Sequence, residues 1–401
     1  MIKSSLISIS VILMSVLFSC STKDNNNEEK QSKDGILGEV KQVEANRLKP
    51  RADSLLSAEV ITVTDSKSSR SSGDEHEFYS EGDYWWPDPD NPGGPYKRRD
   101  GMTNPDNFTA HRKAMRRISI LVPELVSLYL IAGNDAYADA AIKHVNAWFV
   151  DKDTYMKPHM LYSQAISGRV TGRGIGIIDA IHLVEVVKAI QVLEEENQIK
   201  EENLEDIKAW FAEFNEWITT HPYGAVERHN GNNHSTCWAM QVATYAKLTE
   251  NDSLMNAMRE FYKNTIVPGQ LADDGTFPRE LARTKPYGYA LFNLDAMTTL
   301  CQVASTEKDS LWEYVYNDSL NIKEAVDYML PYIKDKSKWP YPDDVMYHEY
   351  WPMRHNALLF AYMAYGDEEY YEVWKSLKPE SDVDEVNRNF FIRAPLLWLN
   401  N

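Results

Sequence analysis

The chain of 401 residues is poor in cysteine, in basic charge, in strand-forming stretches and in long apolar runs. Cysteine occurs three times, as Cys20, Cys237 and Cys301. No two have zinc-ligand spacing, and three scattered thiols suggest no disulfide framework. Lys and Arg number 42 against 60 Asp and Glu, a formal net charge of −18. Nucleic acid is therefore not expected as a partner, because its binders carry a basic footprint. A polyanionic sugar stays open, since a cleft with a few local Arg and His can hold carboxylates while the remaining surface is acidic. Strand signals reduce to the stretch 58–64 (Ala-Glu-Val-Ile-Thr-Val-Thr). There is no βαβ alternation and no Gly-rich phosphate loop, which argues against a nucleotide-binding sheet. No convincing set of oxygen ligands stands out, and Asp88, Asp90 and Asp100 read as turn residues, so no metal or other cofactor is expected.

The apolar run from Leu6 to Phe18 follows Lys3 and is too short for a comfortable membrane span. It ends in Leu17-Phe18-Ser19-Cys20, which resembles the lipobox of bacterial lipoproteins. That resemblance implies a signal peptide over 1–19, cleavage before Cys20 and lipidation of its sulfur. The polar stretch that follows, Ser21-Thr22-Lys23-Asp24-Asn25-Asn26-Asn27-Glu28-Glu29, reads as part of a flexible tether over 20–40. It is similar to the acidic stretches of surface-exposed Bacteroidetes lipoproteins. The expected location is the outer membrane, reached by export and held only through the lipid on Cys20. Residues 41–401 are expected to form one domain, and the protein to be a monomer.

What is present is helix after helix. Ile118, Leu121, Val122, Leu125, Leu128 and Tyr129 recur at helical spacing, as do Ala138, Ala141, Ile142, Val145 and Trp148, then Ile177, Ile181, Val184, Val187 and Ile190. Further helices are expected over 203–219, 233–248, 252–265, 288–305, 321–334, 354–365 and 387–399. Long connections fall at 65–106, 153–174, 221–232, 267–287 and 335–353. Consecutive antiparallel helix pairs suggest an all-α toroid of helical hairpins or a helical solenoid. The long connections carry Trp, Tyr, Arg, His and Asn, the residue types that line sugar clefts, and loops of this length in a compact domain are usually functional.

Three segments hold candidate chemistry. Asn230-Gly231-Asn232-Asn233-His234-Ser235-Thr236 precedes an apolar helix, where free backbone N–H groups favour an anion; it reads equally as an Asn-rich cap with a structural histidine. The stretch Glu280 to Leu294 is a loop with Arg283, Tyr287 and Tyr289 running into an apolar helix. Tyr84-Trp85-Trp86-Pro87, followed by Arg99-Asp100-Gly101, places two adjacent Trp where they cannot easily share one core layer, so one is expected to face a ligand. Near the C-terminus, Tyr347 to His355 is dense in sugar-contact types, and His348, Tyr350 and Arg354 are candidate substrate contacts. Gln164 and Arg173 are candidates in the loop before the third helical stripe. His111 begins a helix and reads as a structural group.

Taken together, these segments resemble the alginate lyase superfamily. Asn232-Asn233-His234-Ser235-Thr236 is similar to its Asn-Asn-His-Gly-Thr element, with Ser235 where Gly is usual. Tyr84 to Gly101 looks like its Tyr-Trp-Trp-Pro segment, Gly172-Arg173-Gly174-Ile175-Gly176-Ile177-Ile178-Asp179 resembles another signature, and Arg283 to Leu294 a fourth. Four motifs in order cover about residues 80–365. The resemblance implies an (α/α) toroid, open or closed, whose loops form a cleft at one end. It implies a polysaccharide lyase acting on alginate or a related polyuronate such as glucuronan. Asn233 and His234 would neutralise the substrate carboxylate with help from Arg283. A tyrosine would remove the C5 proton and protonate the leaving oxygen. Tyr289 is the favoured tyrosine and Tyr287 the other candidate, and Tyr84, Trp85, Trp86 and Tyr287 join the substrate contacts.

The chemistry explains the residue types. Proton removal next to a carboxylate puts further negative charge on that carboxylate, and placed donors lower the barrier, every ~1.4 kcal/mol giving about tenfold. A nearby Arg is expected to favour the phenolate of a tyrosine base. Two other readings remain at this stage: a non-catalytic glycan-binding lipoprotein, and a glycoside hydrolase on the same toroid. The hydrolase needs two carboxyls across the cleft, with Glu280 and Asp295 as candidates.

Overall fold

The computed structural model describes residues 21–399; the signal-like segment and Cys20 lie outside the described residues. Eleven of its longer helices order the molecule. They are α1 (Ser21–Leu48), α2 (Ala110–Ala132), α3 (Asp135–Phe149), α4 (Leu183–Glu195), α5 (Glu201–Thr220), α6 (Asn233–Leu248), α7 (Asp252–Phe261), α8 (Pro286–Ala304), α9 (Ile322–Lys334), α10 (Asn356–Tyr365) and α11 (Glu368–Ser376).

The even-numbered helices α2, α4, α6, α8 and α10 pack each on the next and form an inner ring. The odd-numbered ones from α3 to α11 lie outside them, each against at least one inner helix. Burial separates the two sets: α6 leaves only His234 and Lys247 unburied, whereas α7 buries only Met255 and Met258. Inner helices are thus apolar nearly all round, and outer ones bury a stripe. Short connections fix the hairpins. Between α2 and α3, Gly133 takes the left-handed conformation (φ 63°) and Asn134 caps α3 by accepting from the Ala136 N–H. The ring closes on itself, because α1 packs on α2 while its Glu39 accepts from Tyr371 of α11 at 3.1 Å. This is an (α/α) toroid.

Two pairs of short strands order the loops at one end. Tyr79–Glu81 (β1) runs parallel to Tyr162–Ala165 (β4), and Trp85–Trp86 (β2) pairs antiparallel with Lys97–Arg98 (β3). His111 is structural: it accepts the Tyr79 N–H at Nδ1 and holds the Ser66 carbonyl through Nε2.

Several expectations need correction. The stretch 58–64 is not a strand; a capping box at Thr62 starts a 3₁₀ turn over Val63–Asp65, and its apolar Val63 is buried in the core. No helix runs over 387–399. A helix covers Asp384–Arg388, and the chain then extends to Ala394, because the N–H groups of Arg393 and Ala394 donate to the buried Glu185 of α4 and Pro395 disfavours helix in the residue before it. A 3₁₀ turn follows over Pro395–Trp398. The helix expected at 252–265 ends as α7 at Phe261, and a π turn follows over Tyr262–Ile266. The tether suggested for 20–40 coincides with α1, whose Ile36 and Val40 pack on the core.

Candidate active site

A cavity of about 410 Å³ opens at the end of the toroid where the inner helices begin. Arg112 comes from the first turn of α2, His182 from the cap of α4, Asn233 and His234 from the first turn of α6, and Tyr289 from the first turn of α8. Three helix N-termini, those of α2, α6 and α8, therefore share one opening, and their partial positive charge favours an anion there; α4 continues a 3₁₀ segment over Gly174–His182.

Each motif adds one wall. Asn232 caps α6, its side chain accepting the His234 N–H. Asn233 is pinned from behind by buried Glu280, which accepts the Asn233 N–H and its Nδ2, both at 2.7 Å. His234 Nδ1 donates to the fully buried Glu227 at 2.8 Å, which fixes the ring and leaves Nε2 for the cleft. Burial raises the pKa of Glu227, with the His234 contact opposing it. Ser235, where the related motif has Gly, accepts the Gly231 N–H at 2.7 Å and tightens the loop.

The facing wall is built by β2, β3 and the loop into α8. Trp85 and Trp86 alternate across β2. Trp85 lines the cavity beneath Arg169 and Arg173, at 5.1 and 5.9 Å from its ring centre. Trp86 points away, donates to the Met102 carbonyl and lies under Arg99. Asp100 is more than a turn residue: it accepts from Arg283 at 3.2 Å and from Thr284 at 3.1 Å. The Arg283 guanidinium lies 4.6 Å from the Tyr289 ring centre and 3.4 Å from its hydroxyl. The Tyr289 hydroxyl also meets that of Tyr84 at 2.7 Å. Burial raises Tyr289 to about 12, while Arg283 and the Tyr84 hydrogen bond work to lower it, the direction expected of a nearby Arg.

A family model for alginate lyases matches residues 62–339. An alginate lyase from Bacteroides ovatus is 30% identical, with 90% of this chain and 96% of that one covered and a TM-score of 0.77. The chain belongs to the alginate lyase family. Alginate lyase A1-III from Sphingomonas species A1 shares the fold at 16% identity, over 87% of this chain and 93% of that one, with a TM-score of 0.55. A variant of that enzyme complexed with a tetrasaccharide matches at 17% identity over the same shares, again with a TM-score of 0.55. No curated protein matches this chain.

For this alginate lyase family member, the third signature builds the floor of the site. A Cβ at Gly172 or Gly176 would run into Leu161 or Ser163, so these glycines let the segment lie against β4. Gln164 lines the cavity with its backbone at φ 49° and accepts from Arg173 through both its carbonyl and its side-chain oxygen. Arg173 has no carboxylate partner among the described residues, although burial lowers it only to about 10 and it stays charged. Asp179 of the same signature pairs with Arg112 at 2.9 Å. Asp83 joins Arg112 to Arg388, and although burial works to raise it, the two guanidinium groups hold it at about 2.

The cavity therefore gathers Asn233, His234, Arg283, Tyr289, Tyr84, Trp85, Gln164 and Arg173. Five candidates lie elsewhere. Trp86 has turned outward, as described. Tyr287 is wholly buried, its hydroxyl donating to the Tyr332 carbonyl and its ring packed on Trp339 and His348. His348 pairs with Asp343, Tyr350 is solvent-exposed, and Arg354 lies over Trp374 on the far side of α10. The last three follow the core or the outer surface because Tyr347 to His355 packs against α8 and α10 instead of opening toward the cleft. Sequence reading missed Glu227, Glu280 as a support, Asp100, Asp83, Arg112 and Arg388. Asp100 and Asp179 stood inside recognised motifs, which is the signal that was there to use.

Proposed function

We propose that this polysaccharide lyase cleaves alginate or a closely related polyuronate by β-elimination, with Asn233 and His234 holding the reacting carboxylate and Tyr289 moving the proton. The observation that carries the reading is the convergence of a pinned amide, an acid-backed imidazole and an Arg-flanked phenol on one cavity. Asn233 and His234 offer donors at a helix N-terminus, where added negative charge on the carboxylate is stabilised as it develops. Glu227 and Glu280 fix those donors beforehand, so little reorganisation is needed. Arg283 sits on the phenol and steadies its anion.

In this reading the Tyr289 oxygen takes the C5 proton, the C4–O bond breaks as the C4=C5 double bond forms, and the same phenol returns a proton to the leaving oxygen. That cycle requires proton and leaving group on one sugar face, as in mannuronate or glucuronate. For guluronate, His234 would serve as base from the other face. Arg173, with no acid partner of its own, suits a neighbouring carboxylate, and Trp85 suits a pyranose face. The anchor on Cys20 and export to the outer membrane, supported by the lipobox-like sequence, complete the proposal together with a monomeric state.

Among the described residues the hydrolase alternative finds no free carboxyl pair in the cavity. Glu280 is spent behind Asn233, and Asp295 is held by His355 at 2.6 Å. The cavity acids Asp83 and Asp179 are locked to arginines. The test is a panel of polymannuronate, polyguluronate, glucuronan and glycosaminoglycans with the purified protein. Unsaturated ends absorbing in the near ultraviolet are expected on at least one uronate polymer. New reducing ends without that absorbance would establish hydrolysis, and binding without either would leave a glycan-binding protein.

A further inference from the structure

Lys285 is the residue just before α8, one helical turn from Tyr289 and on the same side of the helix. It is 7% exposed. Its Nζ lies 5.5 Å from the ring centre of Tyr84 and 5.2 Å from that of Tyr347. Among the described residues Nζ has no ion-pair or hydrogen-bond partner. The other cations around the phenols are matched: Arg283 by Asp100, and Arg388 by Asp83 and Glu385. The carboxylates of Glu385 and Asp344 reach this buried ammonium only through space, and two aromatic faces offset part of the cost of its burial.

A small cavity of about 20 Å³ brings Lys285, Tyr84, Tyr289, Asp344 and Glu385 together. Asp344 accepts the N–H groups of Tyr287 and Gly288, each at 2.9 Å, and Glu385 is held by Arg388 at 2.7 Å. Those bonds leave Asp344 and Glu385 charged and acting on Lys285 through space, and the two phenols share the same cavity. Loss of one proton from two hydroxyls 2.7 Å apart leaves a single negative charge shared across a short charge-assisted bond.

We propose that Lys285 is the counter-ion of this shared phenolate, a positioning residue that keeps Tyr289 in the form able to take the sugar proton. Arg283 flanks the phenolate from the cleft side and Lys285 from behind. Tyr347 adds to the case: its backbone is left-handed at φ 68°, a conformation costly for an aromatic residue, and it sets its ring against the ammonium. Burial pushes Tyr289 up and Lys285 down; Arg283 and the Tyr84 bond oppose the first, and Glu385 and Asp344 oppose the second. Ionising the phenols opposite Lys285 relieves both.

The inference rests on Tyr289 as the base, and the experiment separates the two. Lys285→Met, Lys285→Arg and Tyr289→Phe are assayed for kcat and KM on the responsive uronate polymer across pH. A rate needing phenolate rises with pH, so losing a flanking cation moves the acid limb of kcat upward. Lys285→Met is expected to move it by about one unit, with kcat near neutrality down roughly tenfold and KM within about twofold. Lys285→Arg is expected to keep the wild-type limb. An unmoved limb in Lys285→Met overturns the inference, as does an equal shift in Lys285→Arg, which would point to shape and not charge. If Tyr289→Phe still turns over, the base assignment fails first; if it is inactive while Lys285→Met matches wild type, only the Lys285 inference falls.

Discussion

Residues 84–101 and 347–355 contain the same kinds of side chain, yet the first walls the cleft and the second packs beside it. In the first, the β2–β3 hairpin alternates Trp85 toward the cavity and Trp86 away, and Asp100 reaches across to Arg283. In the second, Trp351, Met353 and His355 are buried, Lys336 donates to the Trp351 carbonyl, and His355 holds Asp295. Aromatic residues with polar tips suit a sugar groove and a polar-lined core equally. What separates the two segments is where their charged partners lie: across the opening for one, inside the ring for the other.

The sharpest way to break that comparison lies in the two tyrosines of one loop. Tyr289 meets the cavity, and Tyr287, two residues earlier, meets the core. Tyr289→Phe is expected to lower kcat by about 10³-fold or more with KM little changed, since general acid–base groups contribute roughly 10²–10⁴-fold. Tyr287→Phe is expected to leave kcat intact and cost about 1 kcal/mol of stability through the lost bond to Tyr332, read from denaturant melts. Reversed results would place the catalytic phenol in the core side of the loop and undo the geometry argued here.

Much of the ring was legible in the sequence because a helix that buries one side, or all sides, writes its period in apolar residues. The Asn233–His234 pair, Arg283 and Tyr289 were legible through four ordered motifs. The supports were not. Glu227 precedes His234 by seven residues and Glu280 follows Asn233 by 47, and nothing local marks an acid that will sit behind a distant donor. The segment 387–399 misled for a related reason: its apolar spacing fits a helix, but its N–H groups are claimed by Glu185, more than 200 residues away. Long-range polar partners override local periodicity, and they leave no periodic trace.

A smaller effect is expected on the α6 wall, where a buried acid orients a donor. His234→Ala is expected to lower kcat about 10²-fold. Glu227→Gln keeps the shape of the support but removes the charge behind the imidazole, and a loss of about tenfold is expected, in line with the range for groups that orient a ligating or catalytic histidine. Measured kcat near wild type in Glu227→Gln would make Glu227 a packing partner and leave His234 to act unaided.

The smallest effects return to the two aromatic segments. Trp85→Ala removes a ring that lines the cavity under two guanidinium groups, and it is expected to raise KM about tenfold, equivalent to ~1.4 kcal/mol of binding, with kcat held within about threefold. Tyr350→Ala removes an exposed ring whose backbone N–H, not its side chain, makes the local turn with Tyr347, so kcat/KM within about twofold of wild type is expected. Both are read from initial rates of unsaturated product over a range of polymer concentration. A large KM change in Tyr350→Ala would mean that polymer beyond the cavity runs over the outer face of residues 347–355. Substrate length would then divide the two readings: a short oligosaccharide confined to the cavity would feel Trp85→Ala but not Tyr350→Ala, whereas a long chain would feel both.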